Sequence, residues 1–138
     1  MPYIITGPAI VNILAPTPSI YPSFLNSIAG ETTALAKLIR DNTGVKYSRT
    51  ITCSDNFDLQ DNLYRFNPTV YHLDFDKTIR MGTDFINMTP DKPKIFYIWG
   101  HTYEFDYASD YRVKFEEFLK LISNRDDIFY GTNKEVLL

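Results

Sequence analysis

Polar and apolar residues alternate along this chain in short, recognisable patterns, the clearest of which is Lys94-Ile95-Phe96-Tyr97-Ile98-Trp99. A run apolar on both faces is the signature of a buried parallel strand. The run halts at Gly100 and delivers His101, then Glu104 and Asp106. Upstream, Ala34, Leu35, Leu38 and Ile39 recur at helical spacing, with Thr32 or Thr33 near the start and Gly44 placed to end the helix. Val45 to Thr52 alternates and is rich in β-branched residues, which predicts a strand; Ser54 to Asp58 reads as a loop. Thr69 to His72 predicts another short strand, and Asp74 a cap for a helix with Phe75, Ile79, Gly82 and Ile86 on its apolar face. Asp110 is placed to cap a helix bearing Tyr111, Phe115, Phe118, Leu119 and Ile122. Asp126-Asp127 makes a turn, Ile128 to Tyr130 a last strand, and Thr132 opens a final helix. Helix and strand in alternation predict an α/β fold with a parallel sheet.

The first 23 residues stand apart. Five prolines forbid a helix there and permit at most a short strand around Ile10–Leu14, so residues 1–30 are expected to form an arm or edge strand. The N-terminus lacks a basic region and is broken by three prolines in its first 16 residues, unlike a signal peptide. The cytoplasm is the favoured compartment on that ground. No window reaches the ~18 apolar residues of a membrane span.

Composition narrows the function classes. With 138 residues, 44% of them hydrophobic, the chain is long enough for one globular domain. A net charge of −3 with interspersed signs argues against nucleic-acid binding, which needs a basic face. Cys53 is the only cysteine, so neither an intrachain disulfide nor a thiolate metal cluster can form, and a small packed side chain is the plainer role for it.

Five segments, Gly44 to Thr50, Asn56 to Leu59, Arg65 to Thr69, Phe96 to Asp106 and Asp126 to Glu135, fall in an order that resembles the bacterial polysaccharide deacetylases of the NodB-homology type. The resemblance spans roughly residues 31–135. It implies a distorted (β/α) barrel that removes acetyl groups from N-acetylated sugars with one divalent metal, usually zinc. In that family an early Asp-Asp motif supplies the base and one metal ligand, and a His-x-x-x-His motif supplies two more. Neither motif is in this chain, and Asp126-Asp127 falls late, where the family has an ordinary turn. What the resemblance implies for residues 31–138 is the C-terminal half of the barrel, without a metal and inactive alone. Its uncovered edge and interior predict self-association or pairing with a separately encoded N-terminal half.

By position, His101 resembles the late-strand histidine that protonates the leaving amine in these enzymes. Imidazole suits that task because it titrates near neutrality. Glu104, Asp106 or Asp58 are candidates to orient it. Tyr97, Trp99, Tyr103, Phe105 and Tyr107 admit two readings, sugar stacking or ordinary packing, and Trp99 and Tyr103 are the candidate platforms. Arg49 is a candidate substrate contact, with a partly exposed ion pair to Asp55 or Asp58 as the plainer alternative. Two further functional readings stand beside the first. One is a non-catalytic module binding N-acetylated oligosaccharides or a protein. The other is a hydrolase with a rebuilt metal site on His72, His101 and a carboxylate such as Asp74, although nothing in the sequence spacing draws the two histidines together.

Overall fold

The computed structural model describes residues 6–12 and 32–138, with side chains from residue 34 onward. Apart from β1 (Thr6–Asn12), the N-terminal arm expected over residues 1–30 lies outside the described residues, as do the side chains of Thr32 and Thr33. The chain then runs through α1 (Thr32–Asn42), β2 (Val70–Tyr71), α2 (Phe75–Asn87), β3 (Lys94–Trp99), α3 (Tyr111–Ile122) and α4 (Asn133–Leu137). Single 3-10 turns occupy Leu63–Arg65 and Thr102–Asp106. The three strands form one parallel sheet in the order β1-β3-β2. This is a small α/β arrangement with β3 at its centre.

The apolar character of β3 on both faces follows from that position. Phe96 and Ile98 point into a core built with Val70, the α2 residues Met81, Phe85 and Ile86, and the α3 residues Tyr111, Phe115, Phe118 and Ile122. Ile95, Tyr97 and Trp99 point the other way, toward Phe66, Leu63 and Val136 and Leu137 of α4. Period-two alternation thus feeds two cores from one strand. β1 pairs with β3 from Thr6↔Lys94 to Asn12↔Trp99, and the register slips by one residue between Gly7 and Ile10, at Pro8-Ala9. A proline, lacking its N–H, suits such a bulge on an edge strand.

Two expected strands do not form. Residues 45–52 make one isolated parallel bridge, Arg49 to Phe66. Scattered bonds, such as Thr50 N–H to the Phe66 carbonyl at 2.9 Å and Ser54 N–H to the Pro68 carbonyl at 2.8 Å, only tack the segment along 66–69. Val45 and Ile51 are exposed, so the alternation has no buried face to reward it. At Ile128–Tyr130, the Ile128 side chain enters the core while the Tyr130 hydroxyl donates to the Ile122 carbonyl at 2.7 Å, tying the segment to the end of α3.

The apolar face of α2 is also rotated from the expected one: Thr78, Met81, Gly82, Phe85 and Ile86 are buried and Ile79 is exposed. Neither Asp74 nor Asp110 caps its helix through a side-chain bond; Asp110 instead pairs with Lys114 at 2.5 Å. Gly82 is where α2 meets α3, and a Cβ there would lie 2.5 Å from Cε2 of the buried Phe118 and 3.3 Å from Cγ2 of Ile122. Gly82→Ala should therefore lower stability by about 1–3 kcal/mol through overpacking, outweighing the ~1 kcal/mol that alanine gains in helix propensity. A urea midpoint at or above that of the wild type would show that the two helices part freely. No helix among the described residues is long and apolar enough to cross a membrane.

Candidate functional site

β2 and β3 are parallel, and their register pairs Tyr71 with Trp99. Their carboxyl ends therefore deliver the next residues to the same edge of the sheet, where α/β proteins place their chemistry. His72 follows β2, with its N–H donating to the Trp99 carbonyl at 2.9 Å, and Gly100-His101 follows β3. The imidazole of His72 fills the space over Gly100: a Cβ on that glycine would come 1.7 Å from the ring's Cδ2. Any other residue at position 100 collides with His72.

The next turn, Thr102–Asp106, returns the Glu104 carboxylate to the same point. Glu104 is only 3% exposed and accepts four hydrogen bonds. Oε1 accepts from the Tyr71 hydroxyl and from His101 Nδ1–H at 3.0 Å; Oε2 accepts from His72 Nε2–H and from the His101 backbone N–H, both at 2.6 Å. The last bond takes the Glu104 carboxylate back to the backbone N–H that opens the turn, and Glu104 N–H donates to the His101 carbonyl at 3.1 Å to close it. Burial pushes the carboxyl pKa up, but the donors from Tyr71, His72 and His101 outweigh it and bring it down to about 2. Burial, reinforced by the Glu104 charge, pushes the Tyr71 and Tyr111 hydroxyls above their ordinary range, so both stay protonated donors.

His101 differs from His72 in what it shows to solvent. Its side chain is 46% exposed, while His72 is 3% exposed. With Nδ1 on Glu104, His101 has Nε2 left for a substrate. Its ring stacks on Tyr103 with centroids 5.1 Å apart and planes at 20°, and Tyr107 lies beyond.

The other sequence candidates sort by position. Tyr97, Trp99 and Phe105 are buried; Tyr103 and Tyr107 are 58% and 65% exposed. Trp99 is not an open platform: it stacks on Tyr71 at 4.6 Å, carries the Arg49 guanidinium 4.5 Å from its ring centroid, and donates its indole N–H to Cys53 Sγ at 3.5 Å. Arg49 is therefore committed to Trp99, and the expected ion pair does not form, because Asp55 pairs with Lys77 and Asp58 with Lys94, each at 2.6 Å. Asp58 sits at the opening end of β3, about 16 Å of strand away from His101 at ~3.3 Å per residue, and does not orient it. Asp106 is exposed and nearest Arg112 at 4.0 Å. Asp126-Asp127 lies in the turn after α3, with Asp127 near Arg125 at 3.6 Å.

The residue that sequence reasoning undervalued is His72. Its signal was present: both histidines follow the ends of strands that run parallel, and adjacent parallel strands end side by side.

No family model, curated protein or solved structure matches this chain.

The metal implied by the deacetylase resemblance does not fit these residues. His72 spends Nε2 on Glu104 and Nδ1 on the Tyr111 hydroxyl at 2.8 Å, His101 spends Nδ1 on Glu104, and Asp74 is exposed at the start of α2. Among the described residues no group of three or more His, Cys, Asp or Glu is arranged to hold a metal ion.

Proposed function

We propose that this chain supplies the acid-bearing edge of a polysaccharide-deacetylase-like (β/α) barrel, with His101 as the proton donor toward an N-acetylated sugar. The observation that carries the reading is the half-exposed imidazole of His101. It is anchored through Nδ1 to a buried carboxylate at the carboxyl edge of a parallel sheet, beside the open ring of Tyr103. Such an imidazolium can give its Nε2 proton to the nitrogen of the amide as the carbon–nitrogen bond breaks, so that the amine leaves neutral. Glu104 holds the ring through Nδ1. Tyr103 offers a flat apolar face with a polar tip to a pyranose.

Water activation belongs to the other half of such a reaction. In the resembling family the Asp-Asp and His-x-x-x-His motifs carry it, and in this reading a separately encoded N-terminal half brings them. Self-association is the alternative way to cover the open barrel edge. The stacked His101 and Tyr103 rings also favour a second reading, a sugar-binding module without turnover, which shares the same surface.

Isothermal titration with chitin-type N-acetylglucosamine oligomers tests the part common to both readings. Heat of binding is expected, and Tyr103→Ala should weaken affinity roughly tenfold, the scale of one stacked ring, with thermal stability unchanged because the side chain is exposed. No heat with any N-acetylated oligomer removes both. Acetate released on mixing with a chain that carries the two motifs, and lost with His101→Ala, selects the deacetylase.

A further inference from the structure

The buried half of the Glu104 cluster has no part in the reaction just described, yet it is the better packed half. Each carboxylate oxygen accepts two donors, and on Oε2 the Nε2–H of His72 is one of them. His72 is itself held from behind. The Tyr111 hydroxyl lies 2.8 Å from its Nδ1 and donates to its backbone carbonyl at 2.5 Å, while the rings of Phe105 and Phe115 pack at 5.1 and 5.6 Å. Gly100 closes the remaining side. The imidazole therefore has one placement, and Glu104 takes its orientation from it.

Resting on the reading of His101 as proton donor, we propose that His72 is a positioning residue: through Glu104 it fixes the proton of neutral His101 on Nδ1 and keeps Nε2 as the working nitrogen. A free imidazole prefers the opposite tautomer, with the proton on Nε2. In a histidine held at one nitrogen, the partner there decides which form exists. Here the partner is a carboxylate, an acceptor only, and His72 and Tyr71, together with the His101 backbone N–H, hold it toward Nδ1–H of His101. His72 is only 3% exposed. It acts by geometry.

The chain has two histidines, so nitrogen-15 spectra of the full-length protein contain only two imidazole systems. In the wild type, neutral His101 should carry its proton on Nδ1, and His72 should show a bound proton on Nε2. In His72→Gln the tautomer ratio of His101 should swing toward Nε2–H by roughly tenfold, the scale of one lost charge-assisted hydrogen bond, while amide dispersion reports that the fold is intact. A folded variant with an unchanged ratio overturns the proposal, as does a wild type whose neutral His101 is protonated on Nε2. Should His72→Gln fail to fold, Tyr111→Phe is read instead: it keeps the imidazole and releases only its far side. A smaller swing in the same direction supports the positioning role, and no swing overturns it. These spectra need no sugar. The expected tautomers together with absent oligosaccharide binding reject the functional reading and leave the positioning of His101 in force.

Discussion

Gly100→Ala is expected to be the most damaging glycine-to-alanine change among the described residues. Its Cβ would lie 1.7 Å from Cδ2 and 2.1 Å from Nε2 of His72, far inside contact distance. A long flexible side chain would swing aside, but this imidazole is bound at both nitrogens and 3% exposed. Either β3 parts from β2 or His72 leaves Glu104, and depriving a buried carboxylate of a hydrogen-bond donor costs roughly 1–3 kcal/mol or more. That is a large fraction of the ~5–15 kcal/mol by which a domain of this kind is stable. Gly44→Ala is the matched control, since nothing lies within 4 Å of a Cβ at that position. Urea unfolding of the pair should separate them clearly. Equal midpoints would mean that His72 does not occupy the space over Gly100.

Acid should destabilise the protein through Glu104. The carboxyl has an ordinary pKa of 4.5 and about 2 when folded. A pKa lowered by folding contributes stability that is complete above the unfolded value and is lost as pH falls through the folded one. The window is therefore pH 5 down to 2, and the loss from this one group is about 3 kcal/mol. Asp41, Asp110 and Glu135 also have lowered pKa values but sit at the exposed surface, paired with Lys37, Lys114 and Thr132. They remain in a Glu104→Gln variant, so subtracting its acid limb from that of the wild type isolates Glu104. The variant should be less stable at neutral pH and flatter between pH 5 and 2. Parallel acid limbs would show that the carboxylate is not held by its four donors.

Where the sequence was legible, packing rewarded the pattern. Lys94–Trp99 read as a buried strand because both of its faces meet apolar neighbours, and the stripe of Tyr111, Phe115, Phe118 and Ile122 read as a helix because it packs on that strand's even face. Val45 to Thr52 failed for the converse reason: its alternation satisfies local propensity, but its apolar residues Val45 and Ile51 meet solvent. The site divides in the same way. Glu104 and His101 are three residues apart, within reach of one turn, and the spacing pointed to them. His72 and Tyr111 enter the same cluster through strand register and helix docking, neither of which is written in local spacing. The aromatic run after Trp99 gave composition but not direction, so the open rings, Tyr103 and Tyr107, could not be told from the packed ones, Tyr97, Trp99 and Phe105.

The strand order β1-β3-β2 also sets an order of events in time. β2, α2 and β3 follow one another in sequence, so they can meet through short-range closure as soon as β3 is made, with α3 added next. β1 is synthesised first but pairs with β3, across most of the chain, and the entropy of closing so long a loop places it among the last contacts to form. Until then one side of β3 presents an open row of N–H and C=O groups. During that interval the β1 segment of a neighbouring copy can compete for the same seat, and protein concentration during refolding sets how often the exchange wins.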